Sequence, residues 1–385
     1  MSLEKMEPDV RFKGYIKDWL TKELADVLVE RKVSQRISND APILAFAAGQ
    51  GVIDRSERKS NNRDHLTIDQ ENKKYKLTEY DDIVYNPSNL KYGAIDRNKH
   101  GRGVISPIYV TFTTVEISSF IEQIVKSEKF KLRALVFEEG TVVKRQSVKP
   151  ENLLSLEVNI SPSLDEQAAI GNTFSKLDSL INQHQQKHDK LSIIKKAMLE
   201  KMFPRQGETV PEIRFKEFSG EWEVKELKEI CTYHSSTLTV SDAETEGQYK
   251  LYDAQKCIGY TDRNIQDSDY ITIIKDGSGV GRVRILPQKS SFLATMGAIK
   301  PKETDLHFLY CCLIKIDFNK HISGATIPHV YFRDYGREEF KISTLDEQTA
   351  IGSYFKKLDS LINQHQQQIT KFNNIKQACL SKMFV

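Results

Sequence analysis

The chain has few cysteines and no long apolar run, and both absences narrow the classes of protein it can belong to. Its 385 residues include 5 cysteines, none of which forms a CxxC pair or a ligand-like cluster with histidine. Neither a disulfide framework nor a zinc site is indicated, and a reducing cytoplasm fits. No run of about 18 apolar residues predicts a membrane span. The first residues also lack the apolar core of a signal peptide.

Familiar catalytic motifs are also missing. The sequence has no HExxH, GxSxG or Walker motif. The glycine run 276–281 lacks the phosphate-loop lysine and precedes a predicted strand, so it is interpreted as a hairpin tip. Residues 86–89 (NPSN) faintly resemble an adenine-methyltransferase signature, but they are interpreted as a turn. The net charge of +3 neither predicts nor excludes nucleic-acid binding.

A long internal repeat dominates what is present. Residues 164–203 (LDEQAAIGNTFSKLDSLINQHQQKHDKLSIIKKAMLEKMF) recur as 345–384 (LDEQTAIGSYFKKLDSLINQHQQQITKFNNIKQACLSKMF), with about two-thirds of positions identical. Capping boxes, Ser163 with Glu166 and Thr344 with Glu347, open both copies. Since no proline interrupts them, each copy predicts one helix about 60 Å long at ~1.5 Å per residue.

Both copies carry a seam whose positions are spaced alternately by four and three residues, the pattern of a coiled coil. Because the first helix leads into the second variable region and the second helix follows that region, packing the two seams together requires an antiparallel pair. The seam residues are Ile170, Phe174, Leu177, Ile181, His188 and Leu191 in the first copy, and Ile351, Phe355, Leu358, Ile362, His365 and Phe372 in the second.

Aligning the two seams end to end predicts a register. Leu177 then meets Lys376, and Lys195 meets Leu358, while His188 and His365 meet at a polar waist. A polar waist in an apolar seam fixes register at some cost in stability. We interpret these histidines as packed or partly solvated seam residues rather than metal ligands.

A second repeat precedes the helices. Residues 8–13 (PDVRFK) recur as 211–216 (PEIRFK), and Trp19 recurs as Trp222. We expect this opening motif to pack against its own domain, with the tryptophan in the core. The chain is thus two similar halves, each an opening motif, a variable region and a long helix.

The variable regions mix short β-rich runs with helical stretches at 117–130 and 305–314. Between them lie polar, basic segments on predicted loops, whose side chains are of the types that read base edges. Solvated surface loops are the alternative interpretation. The candidate DNA-binding residues are Arg55, Arg58, Asn61, Asn62, Tyr92, Arg97, Asn98 and Arg102 in the first region, and Gln255, Lys256, Tyr260, Arg263, Lys275, Ser278, Arg282 and Thr326 in the second.

The chain resembles the specificity subunit of type I restriction–modification systems. The resemblance lies in the duplicated LDEQ…KMF helices, the paired opening motifs and short segments such as Tyr92-Gly93-Ala94. The resemblance implies an α+β fold: two mixed α/β target recognition domains joined by two long antiparallel coiled-coil helices with pseudo-twofold symmetry. The repeats place the first domain at 1–163, the central helix at 164–203, the second domain at 204–344 and the last helix at 345–385.

The resemblance further implies a non-catalytic, cytoplasmic subunit that reads a split, asymmetric site in double-stranded DNA. Two modification subunits, which carry S-adenosylmethionine and methylate adenine, bind the helices in that family. Restriction subunits that use ATP and Mg²⁺ join some complexes. The chain itself would hold no cofactor and no metal.

Two other functions remain open. One is an interaction scaffold with two protein-binding domains on a coiled coil, which predicts no salt-dependent affinity for DNA. The other is an enzyme with degenerate motifs, which predicts that the isolated chain binds S-adenosylmethionine.

Overall fold

The protein is described by a computed structural model covering residues 7–47, 49–57, 73–140, 146–324 and 326–384. Its contacts divide the chain into two units. Unit 1 comprises Met1–His184 with Gln368–Val385, and unit 2 comprises Gln185–Gln367. Among the described helices, none combines the length and the apolar character that crossing a membrane requires.

In its described residues, unit 1 mixes short strands with three short α-helices. The strands are β1 (Leu20–Glu23), β2 (Leu28–Glu30), β3 (Ser34–Gln35), β4 (Leu44–Ala47), β5 (Gly51–Asp54), β6 (Tyr75–Thr78), β7 (Ile83–Tyr85), β8 (Ile95–Arg97), β9 (Gly103–Ile105), β10 (Val110–Thr114), β11 (Glu138–Glu139), β12 (Ser147–Val148) and β13 (Glu157–Ile160). The helices are α1 (Ser118–Val125), α2 (Glu128–Leu135) and α3 (Pro150–Leu154).

The central sheet of unit 1 has the order β2-β10-β7-β8 and is antiparallel. Its core contains Phe112 and Phe120, both fully buried. The predicted helix 117–130 is two helices, because Lys126 ends α1 and the Ser127 hydroxyl caps α2 by accepting a hydrogen bond from the Phe130 amide at 3.1 Å. Smaller sheets flank the central one, with orders β3-β6-β9, β4-β5, β1-β13 and β11-β12.

The long helix α4 (Leu164–Lys201) leads into unit 2, and α8 (Leu345–Lys382) follows unit 2's last strand. The strands of unit 2 are β14 (Glu223–Glu226), β15 (Cys231–Ser235), β16 (Lys250–Tyr252), β17 (Cys257–Tyr260), β18 (Tyr270–Ile274), β19 (Val283–Leu286), β20 (Ser290–Phe292), β21 (Met296–Pro301) and β22 (Glu339–Ile342). Its short helices are α5 (Leu227–Ile230), α6 (Leu306–Ile314) and α7 (Phe332–Tyr335).

Unit 2 repeats the plan of unit 1. Its central sheet has the order β15-β21-β18-β19, with α6 packed on it as α1 packs on the first sheet. The pair β14-β22 corresponds to β1-β13, and a three-stranded sheet has the order β17-β16-β20. Trp19 and Trp222 are 2% and 3% exposed. The predicted core role of both tryptophans is therefore confirmed.

Both long helices are continuous over 38 residues, and their less exposed residues recur at the predicted seam spacing. Within unit 1, the Lys376 Nζ donates to Asp178 Oδ1 at 2.5 Å, one residue from its predicted partner Leu177. Within unit 2, the Lys195 Nζ donates to Asp359 Oδ1 at 2.5 Å, one residue from Leu358. The predicted antiparallel pairing, and with it the predicted fold class, is confirmed.

A buried ion pair ties each opening motif to the start of a long helix. The Glu166 carboxylate accepts from Arg11 Nε at 2.6 Å and Nη2 at 2.9 Å. The Glu347 carboxylate accepts from Arg214 Nε at 2.8 Å and Nη2 at 2.7 Å. The predicted capping boxes are thus only half correct, because the Ser163 hydroxyl caps the Glu166 amide at 3.3 Å while the glutamate side chain binds the arginine instead.

The KMF ending of each long helix also enters an aromatic core. Phe384 packs within unit 1 at ring-centroid distances of 6.0 Å from Trp19, 5.6 Å from Phe120 and 5.9 Å from Phe174. Phe203 packs within unit 2 in the same way, 5.9 Å from Trp222. Each domain is therefore anchored to the beginning of one long helix and to the end of the other.

Candidate nucleic-acid interface

Arg97 and Asn98 support the loop between β8 and β9 rather than facing solvent. Arg97 is 9% exposed, and its Nε and Nη1 donate to Glu122 at 2.9 Å and to Asp81 at 2.6 Å. Asn98 is fully buried, and its Nδ2 donates to the Gly101 carbonyl at 2.8 Å. The prediction that these two side chains read bases does not agree with their burial, and the structure gives them a positioning role.

A buried charge network underlies the same loop. Burial raises the pKa of Glu122, but Lys99, Lys126 and Arg97 outweigh it and hold that pKa below its usual value. Burial also raises the pKa of Asp96, whose carboxylate accepts from Lys126 Nζ at 2.8 Å. Burial alone would lower the pKa of Lys126, yet the two carboxylates raise it. The paired charges therefore fix α1 against β8 beneath the loop.

The exposed side chains of this loop are Lys99, His100 and Arg102. Arg102 forms surface ion pairs with Asp40 at 3.0 Å and with Glu79 at 2.5 Å, both open to competition by an anion. Lys99 and His100 were not among the predicted residues. The signal that could have found them is Asn98 followed by a glycine three residues later, which indicates a tight, side-chain-closed loop.

The β7–β8 hairpin presents Tyr92. The Asn86 side chain caps a 3₁₀ helix, Pro87–Tyr92, and Gly93 ends it with a φ of 76°. Residues 86–89, interpreted as a turn, are thus the N-cap and the first residues of this 3₁₀ helix. Tyr92 is 67% exposed, with the Lys91 Nζ 5.6 Å from its ring centroid. An exposed aromatic beside a lysine suits contact with base edges and phosphates of a DNA duplex.

The remaining candidates of unit 1 lie near β5. Arg55 is half-buried in a 3₁₀ helix, Arg55–Glu57, that follows the strand directly. Arg58, Asn61 and Asn62 lie outside the described residues.

The β18–β19 hairpin of unit 2 occupies the place that β7–β8 has in unit 1. Gly277, Gly279 and Gly281 have φ values of 87°, 85° and 85°, which confirms the predicted glycine-rich tip. Ser278 and Arg282 are exposed, and Lys275 is half-buried with its Nζ 3.9 Å from Asp276.

A neighbouring segment braces this hairpin. The His329 Nδ1 lies 2.7 Å from Asp276 Oδ1, and the Gly277 amide donates to the Pro328 carbonyl at 3.0 Å. Thr326, a candidate on this segment, is exposed. The structure thus brings Thr326, Ser278 and Lys275 onto two mutually bonded loops.

The other candidates of unit 2 surround β16 and β17. Gln255 and Lys256 are exposed on the turn between those strands, and Tyr260 is half-buried at the end of β17. Arg263 is exposed, and its Nη1 donates to Asp242 at 2.6 Å. Arg282 Nη2 donates to the Ala254 carbonyl at 2.8 Å, so the turn and the β18–β19 hairpin form one surface.

The seam histidines His184 and His188 and the buried cysteines Cys231 and Cys311 lie in packing environments of the described structure. His184 is half-buried 5.7 Å from the Phe372 ring, and His188 Nδ1 lies 2.9 Å from Asp189. Burial raises the pKa of the Cys231 and Cys311 thiols to about 12, which suppresses the thiolate form. Within the described part of the chain, no group of three or more histidine, cysteine or acidic side chains could hold a metal ion.

Comparison with protein families and curated proteins gives consistent matches. Residues 219–371 match the family described as "Type I restriction modification DNA specificity domain". The chain is similar to the type I restriction enzyme MjaVIII specificity subunit of Methanocaldococcus jannaschii, with 27% identity over 193 residues. That match covers 45% of this chain, and the chain spans only 45% of the length of that relative.

A second relative is matched over more of its length. A putative type I specificity subunit of Mycoplasma genitalium is 23% identical over 274 residues, covering 67% of this chain and 68% of that protein. A solved structure of a type I restriction–modification S subunit from M. genitalium matches with a TM-score of 0.67, 18% identity and 99% coverage of both chains. The structural likeness supports the fold.

Proposed function

We propose that this chain belongs to the family of type I restriction–modification specificity subunits. In this role it supplies the DNA-sequence specificity of such a complex. In this proposal each unit reads one half of a split, asymmetric site in double-stranded DNA. Lysines and arginines on the loops contact phosphates, and exposed polar side chains read base edges.

One observation carries the proposal: the same module is built twice, but with different loops. Both modules share a four-stranded sheet, a buried Arg–Glu pair and an aromatic anchor for a helix ending. Their hairpin tips differ, Tyr92-Gly93 in one and Gly277-Ser278-Gly279 in the other. A shared frame with unlike surface loops suits recognition of two unlike half-sites.

The proposed domain boundaries follow the repeats. Residues 1–163 and 204–344 are the two recognition domains, and 164–203 and 345–385 are the repeat helices. The two halves of the DNA site are separated by base pairs that the chain does not read. We propose that the length of the helices sets the number of these base pairs.

The proposed partners are double-stranded DNA and adenine methyltransferase subunits in the cytoplasm. The repeated helices offer two similar surfaces, which favours two modification subunits for each specificity subunit. Restriction subunits complete the assembly where they are present. The chain contributes recognition, and its partners contribute the chemistry.

Methylation mapping tests this function. The full chain is expressed with its modification subunits, and methylated adenines in the cell's DNA are located. We expect one bipartite motif with a fixed spacer. Affinity of the purified complex for that motif should fall as salt rises, because phosphate contacts release counterions.

Two results would contradict the proposal. Absence of any methylated motif together with salt-independent DNA affinity would favour the interaction scaffold. Binding of S-adenosylmethionine by the isolated chain would favour an enzyme.

A further inference from the structure

The turn Asp253–Lys256, between β16 and β17, is closed on itself by its own polar groups. The Asp253 Oδ1 accepts from the Gln255 amide and from the Lys256 amide, both at 2.6 Å. The Asp253 amide donates to the Lys256 carbonyl at 2.9 Å. These bonds close the backbone of the turn locally.

Two arginines of the neighbouring hairpin hold the outside of the same turn. Arg284 donates from Nη1 to the Gln255 carbonyl at 2.8 Å and from Nη2 to the Asp253 carbonyl at 2.7 Å. Arg282 Nη2 donates to the Ala254 carbonyl at 2.8 Å. Three successive carbonyls are thus bound by guanidinium groups, and the Arg284 guanidinium also lies 5.5 Å from the Tyr252 ring centroid.

This arrangement leaves two side chains to face solvent. Ala254 packs against a hydrophobic cluster, while Gln255 and Lys256 are exposed. A backbone that is already ordered loses little entropy on binding, so its side chains recognise a ligand at lower cost. A glutamine carboxamide matches the N6 and N7 edge of adenine by two hydrogen bonds in the major groove.

We propose that Gln255 determines specificity for one A·T base pair in the half-site read by unit 2, and that Arg282 and Arg284 are its positioning residues. This inference rests on the proposed function. Lys256, next to it on the same turn, contacts the adjoining phosphate.

The test compares methylated motifs of the full chain expressed with its modification subunits. Gln255→Ala should relax the motif at one base pair and reduce discrimination there by about 5- to 150-fold. Gln288→Ala is the matched control, because Gln288 is also exposed in unit 2 but lies on the β19–β20 loop. Its motif should equal that of the native chain.

Arg284→Gln tests the positioning role. It should relax the same base pair as Gln255→Ala, whereas a merely structural role would weaken every position of that half-site. An unchanged motif in Gln255→Ala overturns the inference, as does relaxation at different positions in the two variants. A native complex that leaves no motif at all refutes the proposed function instead, so the two failures are distinguishable.

Discussion

Glu166 is a carboxylate with no exposed surface, and its charge depends on its partners. Burial raises its pKa, but hydrogen bonds from Arg11 and Ser161 outweigh burial and hold the pKa below its usual value. Because the pKa of Glu166 is lower in the folded state, its ionised carboxylate stabilises the fold above the unfolded-state pKa of about 4.3. That stabilisation is lost as pH falls through the folded-state pKa. The pair therefore holds the start of α4 to the opening motif at neutral pH.

Glu166→Gln should destabilise unit 1 by about 3–5 kcal/mol at pH 7, because it leaves the Arg11 guanidinium buried without a countercharge. The chain has 2 tryptophans, so a Trp222→Phe background leaves Trp19 as the fluorescent reporter of unit 1 unfolding. The variant should also lose the part of the acid dependence that Glu166 supplies.

Glu128→Gln is the control for that prediction. Its side chain is 69% exposed and pairs with Lys131 at the surface, so the change should cost less than about 1 kcal/mol. Equal unfolding midpoints for the two variants would show that the buried pair adds nothing to unit 1.

At the scale of elements, Gly171 lets α4 approach α1 closely. A Cβ at this position would lie 2.1 Å from the Ser119 hydroxyl oxygen. Alanine raises helix propensity by about 1 kcal/mol, but the overlap forces the helices apart. We expect Gly171→Ala to destabilise unit 1 by about 1–3 kcal/mol net, measured by Trp19 fluorescence. The added change Ser119→Gly should restore part of the loss, and no restoration would refute the steric cause.

Phe203, which follows the end of α4, anchors this helix in the aromatic core of unit 2. Phe203 is 4% exposed, lies 5.2 Å from the Phe308 ring, and receives the Lys315 ammonium 4.6 Å from its centroid. Phe203→Ala should destabilise unit 2 by about 3–5 kcal/mol. In a Trp19→Phe background, Trp222 reports the change. Phe384→Ala should cost less, because Phe384 is only half-buried; the reverse order would contradict this ranking.

The elements also show which features of the fold could be predicted from the sequence. The helices and their direction were predictable, because the seam spacing repeats in both copies and connectivity allows one direction. The Arg11–Glu166 pair could not be predicted, because its partners lie 155 residues apart. A glutamate three residues after a serine also fits a local helix cap. Arg97 was misplaced because residue type indicates charge, whereas its burial depends on Glu122, which α1 brings to it, and on Asp81.

At the scale of the whole molecule, the two proposed recognition surfaces belong to separate units. Tyr92 lies on a hairpin of unit 1, and Gln255 lies on a turn of unit 2. Changes at sites with no shared partners add in free energy within about 0.5 kcal/mol. If each unit reads its own half-site, Tyr92→Ala and Gln255→Ala should each weaken recognition of one half only.

The double variant Tyr92→Ala/Gln255→Ala should therefore lose affinity by the product of the two single losses. Competition binding of the complex to its full site, and to sites with one half scrambled, measures this. Scrambling the half read by unit 1 should abolish the effect of Tyr92→Ala and leave that of Gln255→Ala intact, since a side chain cannot discriminate bases that are already wrong. A double loss no larger than either single loss would show that the two side chains act on one shared determinant, which contradicts independent recognition by the two units.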